Sequence, residues 1–195
     1  MRGLTEKPWK PTREQIVAAY GRPVPDLLRP GLSVVFCGIN PSLYSAAVGH
    51  HFARPGNRFW PALYRAGYTE RQLSPFEGKL LLAAGYGVTN IVDRATAAAD
   101  ELTADELQGG SHVLERKMRR YRPRAIAFLG VGAYRTAFSR PKAALGRQPE
   151  RIGEAEVWAL PNPSGLNANY QLPDLARLYA ELRTAVAARV RSPRS

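Results

Sequence analysis

In Val34-Val35-Phe36-Cys37-Gly38-Ile39-Asn40-Pro41-Ser42 an apolar run ends on one uncharged amide. Asn40 precedes a proline, which biases its backbone to an extended conformation. Its side chain carries both an acceptor and donors, so it could hold a water and touch a substrate oxygen together. The plainer alternative is a turn asparagine bonded to its own backbone. A second apolar run, Tyr86 to Val92, is followed by Asp93. A carboxylate there suits general-base work, or equally an ion pair with Arg94 or a helix N-cap. Phe52 lies in a loop otherwise built of His, Gly, Arg and Asn, where its ring could face a ligand or close the core. Leu166 stands between Gly165 and Asn167 at a loop tip. An apolar tip of this kind can wedge between base pairs, or pack under its own loop.

Other chemistries find no support. The chain has no phosphate-binding lysine loop and no nucleophile elbow. Cys37 is the only cysteine, His50 and His51 are adjacent and so diverge, and His112 is isolated. Metal ligands must converge, so no metal site is expected.

Elements must deliver these residues to one place. Apolar runs at 32–39, 86–92, 124–130 and 156–162 read as strands, and their near-continuous hydrophobicity is that of a parallel sheet covered on both faces. Helical patterns alternate with them: one after Thr12, ending at Gly21; one over 58–67; one around 73–85; and one opened by Thr103 with Glu106. Gly109-Gly110 is expected to break that last helix, with Ser111 capping a new one whose apolar face is Leu114, Met118 and Tyr121 and whose remainder is crowded with Arg116, Lys117, Arg119, Arg120 and Arg122. A short helix follows the third strand, and Pro173 opens a final helix striped by Leu175, Leu178, Tyr179, Leu182 and Val186. Residues 40–57 read as one long loop. Strand and helix alternate without repeat, the pattern of an α/β domain. Ligands in such sheets bind beyond the carboxyl ends of the strands, where Asn40, Asp93 and the 163–171 loop all fall.

Composition narrows the partner. Lys and Arg total 28 against 16 Asp and Glu, for a net charge of +12, and 23 of the 28 are arginine. The planar guanidinium matches phosphate oxygens, so a polyanion is favoured. No apolar run approaches the ~20 residues of a membrane span, and the start of the chain has no secretory-signal pattern. The 195 residues suit a single domain over 1–195, with 1–11 and 188–195 as loose tails, in a cytoplasmic protein.

The combination "GINPS…FARPGNRFW…TNIVDR…LPNPSGLN" resembles the mismatch-specific uracil-DNA glycosylases, the branch that includes thymine-DNA glycosylases, over about residues 32–185. Sister families carry a histidine just before the Pro-Ser of the second loop, where this chain has Asn162. The resemblance implies a three-layer α/β/α sandwich around a short, mostly parallel sheet. It implies hydrolysis of the N-glycosidic bond of a flipped-out uracil, or a related mispaired or damaged pyrimidine, in double-stranded DNA, without metal or cofactor.

Residue by residue, Asn40 matches the asparagine that positions the attacking water. Gly38 and Ile39 match the base-binding segment, with the Ile39 backbone amide aimed at the base. Phe52 matches the aromatic that stacks on it. Asn162, Pro163, Ser164, Gly165, Leu166 and Asn167 match the loop that enters the duplex. That loop ordinarily carries a basic residue two beyond the leucine; here it is Ala168, which implies a relaxed preference for the opposite base. Ser45, Arg54, Arg58 and Arg94 are the expected phosphate contacts, and Asp93 is expected to assist the water. The implied protein is a monomeric base-excision repair enzyme of a prokaryotic nucleoid. A non-catalytic nucleic-acid-binding protein on the same fold, or a hydrolase of free nucleosides or sugar phosphates, remain as alternatives.

Overall fold

The computed structural model describes residues 6–188. Five strands form one sheet: β1 (Val34–Gly38), β2 (Tyr86–Asn90), β3 (Ala125–Leu129), β4 (Gly146–Ile152) and β5 (Ala155–Leu160), in the spatial order β2-β1-β3-β5-β4. The first three and β5 run parallel, and β4 lies antiparallel on the edge. Among the described residues, seven α-helices flank the sheet: α1 (Arg13–Val17), α2 (Leu43–Val48), α3 (Phe59–Arg65), α4 (Gly78–Ala83), α5 (Ala104–Tyr121), α6 (Val131–Ala137) and α7 (Leu172–Ala188).

Side chains alternate across each strand, and both faces are dry. Val34, Phe36, Ala127 and Trp158 pack toward the buried residues of α3 and α7, including Phe59, Leu63, Leu175, Tyr179 and Leu182. Val35, Cys37, Ile126, Phe128 and Val157 pack toward Leu114 and Met118 of α5 and Tyr134 of α6. The result is the expected three-layer α/β/α sandwich. Burial pushes the Cys37 thiol well above its ordinary range, so this cysteine is a core residue.

Four local readings are corrected. Residues 40–57 are not one loop, because Ser42 caps α2 by accepting from Ser45 N, and Gly49 closes it in a left-handed conformation. Gly109-Gly110 does not break α5, which is continuous. A Cβ on Gly110 would stand 2.3 Å from the Ile91 carbonyl oxygen, so this glycine lets the helix lie close to the chain leaving β2. Ser111 caps nothing; its hydroxyl donates to Gln108 O. Strand β4, "GRQPERI", has no counterpart among the expected strands. Its proline and charged residues suit an edge, and its pairing with β5 shifts register between Arg147 and Arg151.

Of the expected loose tails, 1–5 and 189–195 lie outside the described residues. Residues 6–11 are tied down by Glu6, whose N–H reaches Phe76 O at 3.4 Å and whose carboxylate meets His50 Nε2 at 3.2 Å. The two capping boxes, Thr12 with Gln15 and Thr103 with Glu106, form as their spacing predicts. No helix among the described residues is long and apolar enough to cross a membrane.

The chain leaves β1 toward β2 on one side and returns to β3 on the other. That reversal opens a crevice at the carboxyl ends of β1 and β3, the position where open α/β sheets take ligands.

Candidate active site

A cavity of about 220 Å³ occupies this crevice. It falls below the roughly 300–1,000 Å³ of drug-sized ligand sites and is scaled to a single small ring. Gly38, Ile39 and Asn40 enter it from β1, Asn90 from β2, Leu129 from β3 and Asn162 from beyond β5. Phe52, His51, Asn57 and Arg54 come from the segment after α2; Thr96 and Ala97–Ala99 follow β2; Ser164 and Leu166 come from the loop after β5.

Asn40 is held by its amide nitrogen. Nδ2 donates to Arg94 O at 3.0 Å and to Thr96 Oγ1 at 2.7 Å, while the Thr96 hydroxyl donates its own hydrogen to Ala98 O at 2.7 Å. Both acceptors are unambiguous, because a carbonyl cannot donate and the Thr96 proton is already committed. The amide orientation is thereby fixed. Its two hydrogens are spent on the protein, and the carbonyl oxygen is the group left to act in the cavity. The double function read from the sequence, accepting and donating at once, is reduced to accepting.

The opposite wall is aromatic. Phe52 stacks on Phe59 at 4.1 Å between centroids and 29° between planes. Its backbone φ of 54° is in the left-handed region, which a bulky residue occupies only under constraint from its surroundings. Gly38 makes room for it. A Cβ at Gly38 would lie 2.5 Å from Asn90 Oδ1 and 3.1 Å from the Phe52 ring. Ile39 packs its side chain against Gly130, and its carbonyl accepts from Val92 N at 3.0 Å.

Two of the polar groups lining the cavity had not been expected there. Asn90, the last residue of β2, is buried with its amide 3.5 Å from His51 Nδ1. His51 Nε2 lies 3.0 Å from Pro25 O, a geometry that makes Nε2 the protonated nitrogen and leaves Nδ1 facing Asn90. Burial pushes the imidazole down to about 4, so at neutral pH it is uncharged. The sequence signal for His51 was its own adjacency to His50: neighbours diverge, and the divergence that weakens a shared metal site sends one ring inward. The signal for Asn90 was a polar residue inside an apolar run.

Asp93 is not brought to the cavity. It lies three residues past the end of β2, its side chain is 52% exposed, and its carboxylate sits 3.6 Å from Lys117 Nζ. Lys117 also meets Asp26 at 2.7 Å. No carboxylate is among the described residues that line the cavity.

The expected phosphate contacts divide sharply. Arg94 is engaged by Glu106 in a two-pronged pair, by Tyr20 Oη at 3.3 Å and by Glu101 O at 3.2 Å. Beside it the Glu106 carboxyl is held down at about 2. Arg58 is a clamp: it donates to Gly165 O and Asn167 O at 2.9 Å each, to Tyr170 O, and to Gln171 Oε1 at 3.2 Å. Ser45 is buried, and its hydroxyl accepts from Ala53 N at 3.0 Å and Ser42 Oγ at 3.1 Å. Only Arg54 is exposed at the rim with its guanidinium free of such bonds.

The loop after β5 is held by hydrogen bonds among its own residues. Asn162 Oδ1 accepts from Ser164 N at 2.9 Å, Ser164 Oγ from Leu166 N at 3.2 Å, and Asn167 Nδ2 donates back to Asn162 O at 2.9 Å. Pro163 O accepts from Arg58 N at 2.9 Å, and Gly165 packs so closely on Gly56 that a Cβ would stand 2.6 Å from its carbonyl. On this scaffold Leu166 is 78% exposed, which leaves an apolar side chain projecting beside the cavity mouth.

The comparisons with known proteins bear on this arrangement. A family model described as the Uracil DNA glycosylase superfamily matches residues 25–183. The chain belongs to the uracil DNA glycosylase superfamily. That membership supports a DNA glycosylase function and makes DNA the partner class. The matched span includes every cavity-lining residue, from Gly38 to Leu166. The fold is shared with a solution NMR structure from Methanosarcina acetivorans, provisionally described as a uracil DNA glycosylase. The TM-score is 0.56 at 20% identity, over 84% of this chain and 98% of that one.

Proposed function

We propose that this superfamily member is a monofunctional, mismatch-specific uracil-DNA glycosylase acting as a monomer. It hydrolyses the N-glycosidic bond of uracil, or a related mispaired or damaged pyrimidine, flipped out of duplex DNA, and leaves an abasic site. The observation that carries the reading is the fixed amide of Asn40, with both hydrogens bound by protein and its oxygen left to the cavity across from Phe52.

The extruded base stacks on the free face of Phe52, whose other face is backed by Phe59. The buried amide of Asn90 meets the polar edge of the pyrimidine. Asn40 Oδ1 accepts a hydrogen from a water and aims its lone pair at the anomeric carbon. The C–N bond breaks with its electron pair going to the base, and the Ile39 backbone N–H stabilises the charge that develops there. Removing one such donor in an oxyanion site costs about 3–4 kcal/mol of transition-state stabilisation.

Asparagine cannot deprotonate water at neutral pH, and the neutral, low-pKa His51 is a poor base. The reaction therefore runs with bond breaking ahead of attack. The sugar cation is stabilised by the DNA phosphates, and the water's proton is lost to solvent or the departing base after the new C–O bond forms. This arrangement forgoes the ~10²–10⁴-fold of general-base catalysis, and a weakly paired target, cheaper to extrude, is correspondingly favoured. Leu166 fills the vacated space in the stack, Arg54 meets a phosphate, and Ala168 leaves the opposite base largely unread.

The test uses duplex oligonucleotides bearing G:U, A:U and G:T pairs, single-stranded uracil DNA and free deoxyuridine, followed by alkaline cleavage of abasic sites. Strand cleavage at uracil in duplex, fastest opposite G, is the expected outcome. Absence of alkali-sensitive sites in every uracil duplex, or equal release from free deoxyuridine, sinks the reading.

A further inference from the structure

Five arginines that the active site leaves unused gather at the other end of the molecule. Helix α5 begins beside the cavity rim, where Glu106 holds Arg94, and ends where the strands start, with Tyr121 O accepting from Gly31 N at 3.1 Å. Its 18 residues span about 27 Å at 1.5 Å per residue. Over its last turns and the link to β3 stand Arg116, Arg119, Arg120, Arg122 and Arg124, all exposed. Among the described residues none of the five has an ion pair or side-chain hydrogen bond, whereas Arg58, Arg71, Arg94, Arg147, Arg151 and Arg177 all do. Arg120 lies over the Tyr121 ring at 5.5 Å, and Arg119 is buttressed by the β4–β5 turn at Gly153. Lys117, on the same helix, is already neutralised by Asp26 and Asp93. Within 115–124 the only carboxylate is Glu115.

Like charges gathered within nine positions of the chain repel until a polyanion neutralises them. Their chemistry is that of phosphate recognition, since each guanidinium offers a planar fork of donors that a lysine lacks. We propose that this edge is a second nucleic-acid surface, which holds the phosphate backbone of a duplex segment separate from the one at the cavity. The two surfaces lie at opposite ends of α5, so a duplex seated across the cavity mouth leaves this edge free to hold a second segment. One molecule would bridge two segments and pass between them without full release. The binding itself does not depend on the glycosylase reading, because it needs neither a lesion nor excision.

The experiment compares the full chain with a variant carrying Arg116→Gln, Arg120→Gln and Arg124→Gln, its fold checked by thermal melting. Lesion-free duplex of about 200 base pairs is titrated across a range of salt, and capture of a labelled free duplex on bead-tethered duplex reads bridging. Losing three phosphate contacts lowers the slope of log K against log salt by about 2.7, and bridging drops at least about tenfold with it, since each lost contact weakens binding multiplicatively. Excision from a short uracil duplex in single turnover, if the chain is active, stays unchanged. On the unaltered protein, excess lesion-free duplex protects these arginines from phenylglyoxal, read by mass spectrometry. An unchanged slope with bridging kept, absence of protection, or polyglutamate displacing duplex at equal charge overturns the proposal; the last result would assign the edge to an acidic protein.

Discussion

The side chain of Asn40 and that of Thr96, 56 positions apart, meet at 2.7 Å with the asparagine as donor. Thr96 is itself anchored, its backbone N–H on Pro41 O at 3.2 Å and its hydroxyl on Ala98 O. Thr96→Val keeps the shape and removes the acceptor. We expect single-turnover excision to fall by about tenfold, the worth of one buried hydrogen bond of about 1.4 kcal/mol, with DNA affinity retained. Thr96→Ser restores most of the rate. Asn40→Ala loses more, at least about 10²-fold, as in sites stripped of one aligned polar group. A Thr96→Val enzyme at full speed would mean that Asn40 does not need this anchor.

Asp93 gives the complementary expectation. Its carboxylate faces Lys117 and solvent, so Asp93→Asn leaves the excision rate within about twofold, the range of a surface ion-pair loss of under 1 kcal/mol. A large drop with intact folding would return a proton-transfer role to this residue.

Gly38 tests the geometry of the cavity. Gly38→Ala places a methyl 2.5 Å from Asn90 Oδ1 and against the Phe52 ring. Both must shift into the space assigned to the base. Excision falls by about 10²-fold or more, the scale of misplacement by ~1 Å, while undamaged DNA binds as before. Unimpaired excision by this variant would move the base elsewhere.

Acid stability reports on His51. Its folded-state value of about 4 lies below the ordinary 6.5 because the ring is buried. Between those values the unfolded chain binds a proton that the folded one does not. Stability is therefore complete above pH 6.5, is lost as pH falls through the window to 4, and levels below it. At about 1.4 kcal/mol per unit the window is worth roughly 3 kcal/mol. Denaturant melts of the protein and of His51→Gln across this range measure it: the variant should lack this slope, and an identical slope would place the titration on other groups.

Arg58 is predicted to act through the loop and not through DNA. Arg58→Lys cannot reach the carbonyls of Gly165, Asn167 and Tyr170 together. Proteolysis within 163–171 should quicken, and excision from well-paired A:U should fall more than from G:U, since extrusion is where Leu166 acts. If the variant only weakens the salt dependence of binding, Arg58 is a phosphate contact after all.

Much of this protein could be read from its residues in order. Strands β1, β2, β3 and β5 fall within mostly apolar, buried runs, and such runs have few other solutions. Thr12 and Thr103 cap helices through partners three positions on, which is a local geometry. The signature segments around Asn40, Phe52 and Leu166 do meet at one cavity: Asn40 and Leu166 follow β1 and β5 at one edge of the sheet, and Phe52 follows α2 in the connection that Asn40 opens. What only the tertiary structure decided is the state of each polar group once there. The β2 run was read to Val92, which made Asp93 its terminal polar residue, but the sheet ends at Asn90, and that residue faces the cavity. Three arginines near the loops looked alike in sequence, yet two are consumed by partners 12 and more than 100 positions away. The side chain of Asn40 carries donors and an acceptor in any sequence. Contacts from beyond β2 take the donors and leave the oxygen, and such cross-chain satisfaction has no local signature.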